Sequence, residues 1–86
     1  MSVITIDKQW NEDTGFLERS FEFKSYTKTM SFANAVAWAA NKQNHHPDML
    51  VSYNKCVIKI TTHDAGNTLT DKDYQLAASI DKLICI

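Results

Sequence analysis

Chain-breaking residues are scarce in this sequence. One proline, Pro47, and two glycines, Gly15 and Gly66, serve all 86 residues. That scarcity excludes Gly- or Pro-rich linkers, collagen-like repeats and low-complexity tracts. With no linker to divide it, the chain reads as a single domain over residues 1–86. Cysteine is almost as rare: Cys56 and Cys85 lack CxxC spacing, and two cysteines make no disulfide framework. Both lie in apolar contexts, Lys55-Cys56-Val57-Ile58 and Leu83-Ile84-Cys85-Ile86, which predicts buried or contact thiols. Basic charge is not in excess either, since nine Lys and Arg meet ten Asp and Glu for a net charge of −1. No direct nucleic-acid partner is expected from that balance. Apolar runs fall well short of the ~20 residues of a membrane span. The start, Met1 to Lys8, has neither a basic head nor an apolar core of signal-peptide length. The expectation is a cytoplasmic protein with no membrane partner.

What remains is ordinary for a globular domain, with 44% hydrophobic and 22% charged residues. A domain this small loses much of its possible core to surface, and oligomerisation is a common remedy.

Against that background the histidines stand out. All three, His45, His46 and His63, fall within nineteen positions. An unperturbed imidazole changes charge near neutral pH, so such a cluster suits proton transfer. From these residues alone a second reading stands beside it, in which His45 and His46 cap a helix end and His63 packs on a strand. A His₃ zinc site is a third arrangement. Adjacent histidines diverge, however, and no metal is expected.

Hydrophobic spacing predicts the elements. Val3-Ile4-Thr5-Ile6 is β-branched and reads as a short strand, and Trp10 to Gly15 reads as a turn. From Phe16 to Phe23, Leu17, Arg19, Phe21 and Phe23 alternate with Glu18, Ser20 and Glu22, the period of a strand with one buried face. A helix capped by Ser25 or Thr27 runs to about Gln43, carrying Met30, Phe32, Ala33, Val36, Ala37, Trp38 and Ala40. Its apolar surface is wider than one stripe, and Trp38 is expected in the core or at an interface. Pro47 disfavours helical geometry at His46, so the helix ends before it. Met49–Tyr53 and Cys56–Thr62 then form a hairpin joined by Asn54-Lys55. Cys56, Ile58, Ile60 and Thr62 share one face, and His63 lies on the other, less apolar one. Thr70-Asp71-Lys72-Asp73 is a capping box with Asp in place of Glu, and Leu69 and Tyr74 form its staple. The last helix carries Leu76, Ala77, Ile80, Leu83 and Ile84 at helical spacing. The order ββ-α-ββ-α predicts an α+β fold, a four-stranded antiparallel sheet with two helices on one face. Sheet edges, the wide apolar helix and the apolar end at Leu83–Ile86 together predict a homodimer or homotetramer.

These residues also carry a resemblance. His45-His46-Pro47, five intervening residues to Tyr53, nine more to His63 and nine more to Asp73 resemble the pterin-4a-carbinolamine dehydratase pattern. Trp10-Asn11-Glu12, Tyr53-Asn54-Lys55, Thr61-Thr62-His63-Asp64 and Leu69 to Asp73 look like that family too, so the likeness runs from about Trp10 to Leu83. Two departures are visible: Asn41 stands where the family usually has an acid, and no room precedes Val3 for the extra N-terminal helix of many members.

The resemblance implies an enzyme that removes water from 4a-hydroxytetrahydropterin, giving quinonoid dihydropterin without a cofactor. It implies His45 and His63 as acid–base groups and His46 as chiefly substrate-binding. Asn41, Pro47, Thr62, Asp64 and Trp10 would surround the substrate, with backbone from Thr62 to Asp64 meeting the flat ring. From the residues alone Asn41, Asn44, Asp48 and Asp64 read as solvated or capping groups, and Trp10 either packs or covers the pterin. Recycling of a tetrahydrobiopterin-type cofactor, and so an aromatic amino-acid hydroxylase pathway, is the implied setting. The same resemblance carries an alternative, a non-catalytic binding or assembly module of the transcriptional-coactivator, dimerisation-cofactor type.

Overall fold

Three of the four strands and both helices form where period-two and helical spacing put them. The computed structural model describes residues 4–13, 15–63, 66 and 68–84. Its elements are β1 (Asn11–Asp13), β2 (Phe16–Glu22), α1 (Tyr26–Gln43), β3 (Asp48–Val51), β4 (Lys55–Ile60) and α2 (Asp71–Ile84). The strands make one sheet in the order β1-β2-β4-β3, every pair antiparallel. Alternation along β2 buries Leu17, Arg19 and Phe21 and leaves Ser20 and Glu22 exposed, and β4 buries Cys56, Ile58 and Ile60 on the same side. Against that face α1 lays Phe32, Ala33, Val36 and Ala40, and α2 lays Leu76, Ala77 and Ile80, closing one core. Burial pushes the Cys56 thiol up, so it packs as a small neutral hydrophobe. Cys85 lies outside the described residues.

Ser25 is the helix cap: its extended backbone and its hydroxyl, accepting from Lys28 N–H at 3.2 Å, start α1. The reciprocal half of the predicted capping box starts α2, where the Asp73 carboxylate accepts from Thr70 N–H at 2.8 Å. Leu69 and Tyr74 both pack against the core. Burial first, and then a hydrogen bond to the Glu12 carboxylate, push the Tyr74 phenol up and tie α2 to β1.

The first strand is displaced from its predicted place. Ile4–Ile6 is irregular, and β1 instead forms within the segment read as a turn. Gly15, at φ 77°, reverses the chain and sets Asn11–Asp13 against Phe16–Glu18. The earlier segment is held by side chains: Ile6 packs on the core, and Asp7 and Trp10 are fixed to α2. The β3–β4 turn is also one residue early. Ser52 N–H donates to Lys55 C=O at 2.8 Å, leaving Tyr53-Asn54 as the loop. Two outside donors explain the shift, since Thr29 Oγ1 donates to the Tyr53 carbonyl and Phe23 N–H to that of Asn54. β4 ends at Ile60, and Thr62 makes an isolated bridge with Thr68. Trp38 is not in the core of the chain, being 78% exposed on α1. Among the described residues no helix is long and apolar enough to cross a membrane.

Candidate active site

The way α1 stops decides where its histidines go. Asn44 takes the left-handed conformation (φ 52°, ψ 40°). Its N–H donates to Asn41 C=O at 3.1 Å and that of His45 to Ala40 C=O at 3.0 Å, the paired bonds of a Schellman stop. Asparagine is one of the few non-glycine residues that accepts this geometry at low cost. The chain therefore reverses sharply, Pro47 prevents renewed helix, and β3 begins at Asp48. His45 and His46 are left at the exit.

His45 turns inward. Its Nε2 lies 2.7 Å from Asp73 Oδ1, with the Asp73 side chain fully buried. An ionised carboxylate only accepts, so Nε2 carries the proton and Nδ1 is left as the proton-accepting atom. Asp73 is itself held on its other oxygen: Oδ2 accepts from Thr62 Oγ1 at 2.7 Å and from Thr70 N–H at 2.8 Å. The one hydroxyl proton of Thr62 is thus committed, so Thr70 donates in the 2.7 Å contact between the two hydroxyls. A buried carboxylate with this many donors is satisfied in place and orients the imidazole against it.

His46 turns outward, its Nε2 donating to Asn41 Oδ1 at 3.0 Å. At the far wall His63 follows the end of β4, exposed, in a turn closed by Gly66 N–H to its carbonyl at 3.0 Å. Together Asn44, His45, His46, Thr61, Thr62, His63 and Lys72 line one cleft of about 250 Å³. A larger hollow of about 530 Å³ runs along the outer face of α1 past Trp38 and Asn41. Among the described residues its lining holds no histidine or carboxylate, whereas all three imidazoles line the smaller cleft.

Of the residues singled out from sequence, the three histidines and Thr62 come together here. Asn41 supports His46 from behind and does not touch His45, whose acidic partner is Asp73. Pro47 acts on the backbone and is half-buried outside the cleft lining. Trp10 takes the packing role: it is buried, edge-on to Phe21, with Nε1 donating to Asp81 Oδ1 at 2.7 Å. Asp81 lies two turns along α2 from Asp73, about 12 Å at the helical rise, which sets Trp10 at the other end of the helix. Asp64 lies outside the described residues. Sequence reasoning placed Asp73 in the helix cap and in the family pattern, and Thr70 and Lys72 in the same cap, but gave none of the three a role in the site. The available signal was an Asp at the capping-box position, where a shorter side chain than Glu sits close to the helix end. Among the described residues no three His, Cys, Asp or Glu side chains converge as a metal site.

Comparisons with known proteins show the family and the fold. A family described as "Pterin 4 alpha carbinolamine dehydratase" matches residues 2–83. A protein of Legionella pneumophila (strain Corby) is 47% identical over 81 residues, covering 92% of this chain and 71% of its own. One from Nitrosomonas eutropha is 42% identical over 79 residues, covering 92% of this chain and 69% of its own. Both bear the name "Putative pterin-4-alpha-carbinolamine dehydratase". Among solved structures, a transcriptional coactivator/pterin dehydratase from Brucella melitensis superposes with a TM-score of 0.82 at 27% identity, over 88% of this chain and 82% of its own. A pterin dehydratase-like protein described as a RuBisCO assembly factor in the alpha-carboxysome superposes at 0.73 and 22% identity, a likeness of fold alone. With a family match across nearly its whole length, the chain belongs to the pterin-4α-carbinolamine dehydratase family.

Proposed function

We propose that this protein dehydrates a 4a-hydroxytetrahydropterin to the quinonoid dihydropterin by histidine acid–base catalysis, in recycling of a tetrahydrobiopterin-type cofactor. The observation that carries the reading is His45 braced on buried Asp73 in a cleft that also holds His46 and His63. In the reaction the C4a–O bond breaks, the oxygen leaves as water after taking a proton, and N5 gives up its proton as the N5=C4a bond forms. One group must donate and one accept near neutral pH, which two imidazoles lining one cleft can do. His45, its Nε2–H held by Asp73, works through Nδ1, and His63 serves as the second group. His46, fixed by Asn41, binds the ring.

Stopped-flow absorbance with freshly generated carbinolamine tests this reading, and a rate equal to that of buffer at micromolar enzyme refutes it. The roles separate in variants. His63→Ala is expected to lower kcat more than it raises KM, and His46→Ala to do the reverse. Each acid–base imidazole is typically worth ~10²–10⁴-fold, and the His45→Ala/His63→Ala double variant removes any redundancy between them. Purely KM effects at all three positions would argue for a binding module instead, the role described for the assembly-factor neighbour.

We also propose that the chain self-associates. β3 is an edge strand, and Leu50 on it is 72% exposed. Asp48 is the one charge on this strand, and the apolar stretch Met49–Val51 beyond it invites another edge. Light scattering after size exclusion should return a multiple of 9.8 kDa, two or four copies, and a monomer mass at micromolar concentration would refute it.

A further inference from the structure

Among the described residues Lys72 is the one Lys or Arg on the cleft wall, and nothing described so far uses it. Lys72 lines the cleft beside the three imidazoles, and among the described residues no carboxylate does. The nearest acids in sequence cannot neutralise it. Asp73 is fully buried with both oxygens engaged, by His45 on one and by Thr62 and Thr70 on the other. Asp71 is its immediate helix neighbour, and adjacent helical residues do not face each other. Among the described residues Lys72 is in no ion pair, although Arg19 and Lys59 are. The cleft wall formed by the described residues is therefore neutral or positive toward a bound molecule.

The size of the cleft says which part of a ligand meets Lys72. At about 250 Å³ it is smaller than the ~300–1,000 Å³ sites that enclose a whole drug-sized molecule. On the pterin reading, a fused ring seated among the histidines would fill the cleft and its C6 substituent would extend beyond it. Lys72 lines the cleft and is exposed, on the first turn of α2, with a flexible four-carbon stem that can follow such a substituent. A neutral substituent would gain little from that ammonium, whereas an anionic oxygen gains a charge-assisted hydrogen bond.

We propose that Lys72 is a specificity residue, selecting pterins whose C6 side chain ends in an anionic oxygen group over those with a neutral one. The proposal rests on the pterin reading of the cleft and names the substrate class within it. Phosphate and carboxylate share the required chemistry. Titration calorimetry with two matched pairs separates them: 7,8-dihydroneopterin against its phosphate monoester, and 6-hydroxymethylpterin against pterin-6-carboxylate. In at least one pair the anionic member should bind about tenfold tighter, the scale of one hydrogen bond to a charged group. The preference should shrink in about 0.5 M salt, disappear in Lys72→Met and persist in Lys72→Arg, while neutral pterins bind all three proteins equally. No preference in either pair, or one that survives in Lys72→Met, overturns the assignment. If the neutral pterins bind and the carbinolamine is dehydrated without such a preference, only the role of Lys72 falls. If no pterin binds at all, that role falls together with the dehydratase reading.

Discussion

Asp73→Asn should lower kcat for the proposed dehydration ~10²–10⁴-fold with little change in KM, the full worth of one well-placed acid–base group. The side chain is fully buried and touches no solvent, so it acts through the groups it holds at the cleft, His45 first and Thr62 beside it. As a carboxylate it accepts from His45 Nε2–H, from Thr62 Oγ1 and from Thr70 N–H. An amide of the same shape offers only one accepting atom. Turned so that its oxygen meets Thr62 and Thr70, it presents N–H to His45 and forces Nε2 to become the acceptor. The ring proton then moves to Nδ1, the atom that must be bare to take a proton from substrate, and a correctly placed imidazole is left in the wrong tautomer. Turned the other way, it leaves Thr62 and Thr70 facing a donor, a local penalty of ~1–3 kcal/mol. Ring ¹⁵N shifts of His45 distinguish the two outcomes and separate positioning from simple unfolding, which a thermal melt reports independently. Asp73→Ala is the second variant, expected to lose activity with either ring orientation. A folded Asp73→Asn protein with unchanged kcat would remove His45 from the chemistry.

The cap formed by Asp73 is legible from Thr70 three positions away, whereas its contact with His45 is not. Local physics was legible. Alternation from Leu17 to Phe21 marks β2, Ser25 marks the start of α1, Pro47 forbids its continuation, and Thr70 with Asp73 marks the start of α2. Each signal is carried by residues a few positions apart. The three histidines were legible for another reason, since their residue type is rare in this chain and its chemistry specific. What escaped depends on contacts far apart along the chain. Asp73 meets His45 across 28 positions, and only the reversal at Asn44 together with the end of β4 brings them together. The place of β1 was missed because Asn11–Asp13 has no strand-like composition. It is a strand because Gly15 folds it onto β2, while the more β-prone Ile4–Ile6 is held by side-chain contacts instead. Tertiary context decides such strands, as the weakness of β-propensity implies. Trp10 was ambiguous for the same reason, because its partner Asp81 lies 71 positions away.

That distant partner sets up the largest stability effect. Asp81→Ala should destabilise the fold by about 3–5 kcal/mol, the usual consequence of removing one member of a buried pair. Asp81 Oδ1 accepts from Arg19 Nη1 at 2.8 Å and from Trp10 Nε1 at 2.7 Å, and Oδ2 accepts from Asp7 N–H at 2.8 Å. One carboxylate thus joins α2, β2 and the irregular N-terminal segment. Arg19 is 8% exposed, lies 4.4 Å over the Phe21 ring, and its Nε already lacks a partner. Without Asp81 its charge keeps only Asp7, at 3.9 Å and largely in solvent. For a domain of this size each kcal/mol is worth roughly 4–8 °C, so the melting temperature should fall by at least ~12 °C. Lys59→Ala is the contrasting control. Its 3.9 Å contact with Glu18 is nearly half exposed on both sides, and a loss under ~1 kcal/mol is expected there. An Asp81→Ala melting point within a few degrees of the parent would show that the cluster relaxes into solvent. A double replacement, Arg19→Met with Asp81→Leu, gives the sharper test. If the cost of the single variant is the stranded guanidinium, removing both charges together should recover much of the loss, because packed apolar side chains carry no desolvation penalty.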